Sequence, residues 1–261
     1  MRHLIRLVAL ALAVVALAMA LAACNGNGDG DEPTALPSPH TLVTDSTRQI
    51  ESASSFVIEI SVSGSPVQIS VGDMPLPEEI PLVFEYARGT YVAPDQLQAT
   101  IDIRVGDAVA RTELIALGTD QYIRSDLLTQ GNWIREQVIS GFSPADLLAP
   151  ETGIPSALTK VRNLEMVERT DLDGVPVYHL TGIIDASDVH SVTFGLMGTR
   201  TGEMQVDLYV LTDGHWLEQL VLHEPLPEGA EEGTEPTRWT ISVLDYNQDI
   251  SIATPEMSGQ G

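Results

Sequence analysis

The sequence predicts a mainly β chain: one strongly curved antiparallel sheet with a few short helices packed on its concave side. Three observations carry that reading. Long stretches alternate apolar and polar residues with a period of two, as in Phe56-Val57-Ile58-Glu59-Ile60-Ser61-Val62. The stretches are separated by turn dipeptides, Gly106-Asp107, Asp173-Gly174 and Asp213-Gly214. The helical signals between them are short and closely stopped by proline or glycine.

Taken in order, Leu42, Val43, Ile50 and Ala53 recur at helical spacing and predict a short helix over Leu42–Ala53. The period then changes. Phe56, Ile58, Ile60 and Val62 share one face of a first strand. The Pro-rich stretch Met74–Pro81 reads as a loop or irregular edge. Leu82, Phe84 and Tyr86 open a second strand, and Leu97, Ala99, Ile101, Ile103 and Val105 form a third. Ala108–Leu117 and Gln121–Arg124 complete a meander of hairpins. Ser143-Pro144-Ala145-Asp146 then supplies a cap residue, a proline at the first helical position and an acid in the first turn. Leu147 and Leu148 follow, and Pro150 stops that helix. Gly153–Val161 predicts another, with Ile154, Leu158 and Val161 on one face. Strands resume at Leu164–Thr170 and Val175–Ile184, and Asp185–Met197 reads as a further short helix. Met204, Val206, Leu208 and Val210 alternate, and Trp216, Leu220 and Leu222 return after Asp213-Gly214. The acidic run Pro225–Pro236 is an exposed loop, and Thr237–Asp245 and Ile250–Thr254 finish the sheet. The two halves match in outline but show no sequence repeat, so residues 40–261 are expected to form one domain.

The N-terminus sets the compartment. Arg2 and Arg6 precede fifteen apolar residues, Leu7–Leu21. At about 1.5 Å per residue that run reaches roughly 22 Å, short of a hydrocarbon core of about 30 Å. A basic head, a short apolar run and small residues before the cut make residues 1–23 a secretory signal. Leu21-Ala22-Ala23-Cys24 resembles a bacterial lipobox, which implies that Cys24, the chain's one cysteine, is acylated and becomes the new N-terminus. The expected location is the extracytoplasmic face of the cell membrane, held there by lipid through Cys24. A single thiol excludes an internal disulfide. Residues 24–39, rich in Gly, Asp and Pro, cannot bury enough to fold and read as a flexible tether. Within it Asn25, Asn27, Asp29 and Gly30 have a calcium-loop rhythm, but the twelfth position is Leu36, which offers no oxygen.

The full chain carries a net charge of −24, and loss of residues 1–23 removes two arginines and no acid, leaving −26. Such a chain repels phosphates and anionic headgroups, so nucleic acid is not an expected partner. No constellation promises catalysis, a metal or a cofactor. Gly141-Phe142-Ser143-Pro144-Ala145 approaches a nucleophile elbow, but that device needs the backbone N–H after the serine, and Pro144 has none. Ser143 is better read as a helix cap. His40, His179, His190, His215 and His223 never pair at metal-binding spacing. Lys160, the one lysine, sits at the end of a predicted helix, where it complements the helix dipole. The chain is therefore not expected to be an enzyme.

Several blocks are similar to the LppX/LprA/LprF/LprG family of lipid-binding lipoproteins: Phe142-Ser143-Pro144-Ala145-Asp146-Leu147-Leu148, Gly174-Val175-Pro176-Val177-Tyr178-His179-Leu180-Thr181-Gly182, Asp185-Ala186-Ser187-Asp188, Asp213-Gly214-His215-Trp216-Leu217 and Trp239–Tyr246. The likeness runs from about Thr41 to Pro255. It implies a half-open barrel whose helices close over an apolar cavity for acyl chains, and a membrane-anchored protein that carries or presents lipids or glycolipids. Two departures from the family pattern, Tyr209-Val210-Leu211 without a tryptophan and Asn247 for a glycine, bear on the cavity mouth. On alternation, the inward candidates are Ile58, Ile60, Val62, Ile101, Ile103, Val206 and Leu208, faced by Leu147, Leu148, Ile154 and Leu158 from the helices. The residues alone fit a closed core equally well; the cavity rests on the resemblance. A sensory or scaffolding lipoprotein that binds another envelope protein through the same half-barrel is the alternative.

Replacing Cys24 with Ala is expected to abolish fatty-acid labelling and membrane retention; unchanged labelling of that variant removes the lipobox reading.

Overall fold

The computed structural model describes residues 36–69, 81–137, 142–197, 201–226, 229–231 and 233–257. The expected signal and Cys24, most of the expected tether and most of the Pro-rich stretch before Pro81 lie outside the described residues.

Helix α1 (Pro39–Glu51) opens the compact unit that begins at Ser38. The Ser38 hydroxyl accepts from the Thr41 N–H at 3.1 Å, and Pro39 occupies the first turn. This is the same Ser-Pro device that marks Ser143-Pro144, and it starts the helix three residues before the apolar spacing does. Strands β1 (Ser55–Ser63), β2 (Val67–Ile69), β3 (Leu82–Val92), β4 (Gln96–Val105), β5 (Ala108–Leu117) and β6 (Asp120–Ser125) follow. The single turn α2 (Asp126–Thr129) and the two-residue β7 (Ile134–Arg135) come next. A 3-10 helix (Pro144–Leu148) and α3 (Ile154–Thr159) lead into β8 (Arg162–Leu172), β9 (Val175–Asp185), β10 (Glu203–Leu211), β11 (Leu217–His223) and β12 (Arg238–Leu244).

Among the described residues, twelve strands form one antiparallel sheet in the order β7-β6-β5-β4-β3-β1-β12-β11-β10-β9-β8, with β2 beside β3. The last strand returns to the middle, so β1 and β12 join two hairpin meanders. The two ends do not pair, and the curved sheet stays a half-open barrel. Both edges resist further pairing: β7 is two residues long, and β8 is largely exposed and carries Glu165, Glu168, Arg169 and Asp171.

Alternation places the core as the sequence predicts. Phe56, Ile58 and Ile60 of β1 are buried, as are Val206, Leu208 and Val210 of β10 and Trp239, Ile241 and Val243 of β12. Over the β8–β12 half the inward face is filled. Leu42, Val43 and Ile50 of α1 and Ile154, Ala157 and Leu158 of α3 join Leu180, Val206, Leu208 and Leu220 in one buried cluster. The Ser46 hydroxyl and the Gln49 amide of α1 donate to the backbone carbonyls of His215 and Gly214 at 2.7 and 2.8 Å, which pins the helix to the β10–β11 turn.

The short helix expected within Asp185–Met197 is Ala186–Val189, a 3-10 turn; Phe194 and Gly195, at φ of 52° and 73°, carry the chain out of helical geometry. One expectation changes. Ile250–Thr254 forms no strand, because β12 already pairs on both sides, with β1 and β11, and no ladder edge remains beside it. Asn247 adopts φ 59°, the left-handed conformation for which a glycine is expected, and asparagine tolerates it. Its Oδ1 accepts from the Ser54 N–H at 2.8 Å, so the substitution adds a tie to the start of β1.

Leu208→Ala is expected to lower the unfolding free energy by about 2–5 kcal/mol through the cavity it leaves, read from denaturant melts. A loss below 1 kcal/mol, on the order of a tolerated swap, contradicts the packed half.

Candidate functional site: an apolar cavity under the first half of the sheet

The register of β1, β3, β4, β5 and β6 stacks inward side chains in rows. The lowest row, Phe56, Tyr91, Leu97, Ala116 and Gln121, follows from the pairings Phe56↔Tyr91, Tyr91↔Leu97, Leu97↔Ala116 and Ala116↔Gln121. It closes one end of the face: Phe56 stacks on Tyr91 with ring centroids 4.8 Å apart, and burial pushes the Tyr91 hydroxyl up to about 12 while it donates to the Pro94 carbonyl at 2.9 Å. The next row runs Ile58, Gly89, Ala99, Leu114, Ile123, and the one above it Ile60, Ala87, Ile101, Thr112, Ser125.

The middle of these rows is made of small residues. A Cβ on Gly89 would sit 3.1 Å from both the Ala99 Cβ and Leu97 Cδ1, so a side chain there would require these neighbours to give way. Above Ala87, Gly89 and Ala99 the space is empty: a cavity of about 110 Å³, roofed by Phe194 and Leu196 from the turn after β9 and by Leu128 of α2. Ile69, Phe84 and Ile103 form its upper rim. No charged side chain lines it, and Thr112 contributes the one side-chain hydroxyl among its lining residues.

Of the residues singled out from the sequence, Ile58, Ile60, Ile101 and Ile103 line this cavity. The others do not. Val206 and Leu208 are fully buried in the packed half, and Leu147, Ile154 and Leu158 are buried in the same cluster, with Leu148 against it. Val62 packs at the border of that cluster, one row above Ile60. The side chains of the helical leucines and of Ile154 join the buried cluster and do not line the cavity, although the 3-10 helix that carries Leu147 and Leu148 also touches β4. Sequence reasoning missed Ala87, Gly89 and Ala99, whose smallness makes the space, and the roof residues Phe194 and Leu196. An unbroken run of small inward residues across neighbouring strands was the available signal, but it emerges only once register is known. The departures at Tyr209 and Asn247 lie away from the cavity: Tyr209 stacks on His179 at 4.6 Å on the outer face, and Asn247 lies beyond the Phe56 row.

The outer face holds one dense polar group. His179 and His223 each present Nε2 to the Asp207 carboxylate, at 3.1 and 2.7 Å, from the strands on either side of β10. Burial works to raise the Asp207 pKa, but the hydrogen bonds from His223, His179 and Thr181 outweigh it and hold the carboxyl below the ordinary aspartate value. His215 likewise meets Asp45 at 2.9 Å, tying a turn to α1. Among the described residues no group of His, Cys, Asp and Glu is arranged to hold a metal. Ser143 is engaged at a helix start, where its N–H donates to Asp146 Oδ2 at 2.8 Å.

The sequence matches the LppX_LprAFG lipoprotein family over residues 38–252. The chain belongs to that family. Among solved structures, LprF from Mycobacterium bovis superposes with a TM-score of 0.61 at 16% identity, covering 83% of this chain and 96% of that one. LppX from Mycobacterium tuberculosis gives 0.52 at 16% identity, covering 82% and 98%. These likenesses establish the half-open LppX/LprF fold. No curated protein sequence matches the chain. No helix among the described residues of this family member is long and apolar enough to cross a membrane.

Because the folded-state pKa of Asp207 is depressed, its contribution to stability is present above the unfolded-state value, near 3.8, and is lost as pH falls through the lower folded value. Asp207→Asn is therefore expected to lower stability at pH 7 and to flatten the acid limb of the melting-temperature profile below about pH 4. An unchanged acid limb counts against the bridged carboxylate.

Proposed function

We propose that the protein is a membrane-anchored envelope lipoprotein that takes the apolar chains of lipids or glycolipids into the cavity beneath β1–β6 and carries or presents them. Acylated Cys24 holds it to the extracytoplasmic face of the membrane, and residues 24–37 give the domain reach; fourteen residues of flexible chain span roughly 20 Å r.m.s..

One observation carries the reading: the two halves of the same inward sheet face are finished differently. The β8–β12 half is packed by helices, while the β3–β6 half is floored by small residues and left hollow. A stable core fills such volume, since interiors are close-packed and each missing methylene is felt. An apolar void with a roof of turns is suited to a transient apolar occupant. Each methylene kept from water is worth about 0.8 kcal/mol, but a bilayer shields chains as well, so the net preference for the cavity is small and suits exchange. At about 110 Å³ the resting cavity holds only a short part of a chain; a whole chain enters as Phe194 and Leu196 move aside. No reaction is assigned to the site. Its lining carries no acid, base or metal ligand, and Ser143 is occupied at its helix start with Pro144 beside it.

Ile60→Trp and Ile101→Trp are expected to fill the hollow, cutting lipid recovered by mass spectrometry of organic extracts while leaving melting nearly unchanged. Val206→Trp, in the packed half, is expected to cost about 1–3 kcal/mol of stability. Wild-type protein that contains no lipid and takes up none from labelled vesicles overturns the carrier reading.

A further inference from the structure

At the edge of the cavity stands a polar pair that the fold does not use. Thr112 of β5 and Ser125 of β6 are direct partners across the ladder, so their side chains stand on the same inward face. They are 4% and 2% exposed, and among the described residues their hydroxyl oxygens are the buried side-chain polar atoms that lack a hydrogen-bond partner. Their neighbours cannot serve them. Thr129 is committed to the Ser125 backbone, accepting from its N–H at 2.9 Å and donating to its carbonyl at 3.0 Å. Ile101 flanks Thr112 on the other side. A buried hydroxyl without a partner is destabilising, and two side by side, one of them in the cavity lining, are a feature that close packing alone would have removed.

Their position is as informative as their burial. Thr112 lines the cavity, while Ser125 lines an open groove bounded by Ala108–Arg111 and by Asp126 and Leu127. The groove exists because β6 ends at Ser125 while the first residues of β5 run on without a partner on that side. The hydroxyl pair therefore stands where the dry space meets water. The groove's one cation, Arg111, is already engaged by both oxygens of Asp102, at 2.9 and 3.1 Å.

We propose that Thr112 and Ser125 are ligand-binding residues whose hydroxyls together donate to the carbonyl oxygen of an uncharged acyl ester, placing the chain in the cavity and the polar head in the groove. This rests on the carrier reading above and adds to it a polar subsite that fixes depth and selects chemistry. Partners directly opposite in an antiparallel pair have Cβ atoms about 4.5–5.5 Å apart, which lets one oxygen lie within about 2.8 Å of both hydroxyls. A carbonyl oxygen has two lone pairs and meets both donors. A fatty-acid carboxylate is disfavoured, because no unpaired cation faces it and the buried charge would go uncompensated.

The test uses the full chain reconstituted into phosphatidylcholine vesicles with two photoactivatable probes of equal chain length, an ester-linked diacylglycerol and its ether-linked dialkyl analogue, which lacks the carbonyls. Wild type is expected to crosslink the ester probe at least fivefold more than the ether probe, since one net hydrogen bond is worth about that factor. Thr112→Val and Ser125→Ala are each expected to reduce ester crosslinking about fivefold and to leave ether crosslinking unchanged. Melting temperatures of both variants should be unchanged or higher, because each removes a buried hydroxyl without a partner; a marked drop means the hydroxyls are structural and overturns the proposal. Equal crosslinking of both probes, insensitive to either variant, also overturns it and leaves the carrier intact, with a bridging water as the occupant of the pair. Failure of both probes to crosslink in wild type is the outcome that sinks the carrier reading itself.

Discussion

Everything in this structure follows from the need to remove one face of a twelve-stranded curved sheet from water. Alternation along the strands aims a continuous apolar surface inward, and each large side chain kept there contributes about 1.5–3 kcal/mol. A sheet that curves without closing cannot cover that surface with itself. The chain meets the requirement twice, in two ways. Helices α1 and α3 press Leu42, Ile50, Ala157 and Leu158 into the face of β8–β12. Over β3–β6 only short turns pack among the described residues, the 3-10 helix against β4 and α2 against β5 and β6; the face itself is lowered with Ala87, Gly89 and Ala99, and a turn carrying Phe194 and Leu196 spans the gap. The first solution makes a core and the second makes a container.

The outer face answers to electrostatics. Arg88 meets Glu59, Arg111 meets Asp102 and Arg124 meets Glu113, each pair directly opposed in the ladder. Such exposed pairs contribute about 0–1 kcal/mol each. Cations are scarce along the whole chain, and these pairs leave its acidic balance in place, with a chain charge of −24. A surface of that sign does not concentrate anionic ligands. The apolar lining of the cavity and the committed state of Arg111 agree with it, and on the proposed carrier reading each favours uncharged ligands.

The His179–Asp207–His223 bridge shows how a sheet protein of this kind uses its few histidines. Three adjacent strands each contribute one outward side chain, and Tyr209 covers His179 as a stacked neighbour. A carboxylate partly removed from water needs donors, and two imidazole N–H groups supply them. The cluster therefore fastens β9, β10 and β11 on the side opposite the packed core.

Periodicity alone determined most of the architecture. The alternation from Phe56, Leu97 and Met204 located strands, and Ser143-Pro144 and Gly153 located helix starts, because these signals are set by neighbours within a few residues. It also named Ile58, Ile60, Ile101 and Ile103 as inward, and they line the cavity. The same rule placed Val206 and Leu208 inward, and they too point inward, yet into packed helices. Alternation tells which face is buried and is silent about what buries it. Ala87, Gly89 and Ala99 are unremarkable in sequence and become a floor only when β3 and β4 pair in one register; Thr112 meets Ser125, and Asp207 meets His179 and His223, for the same reason. Where strand, helix and turn occur is a local property of the chain. Whether a volume is left between a face and its cover is a difference between distant parts, and only the tertiary structure decides it.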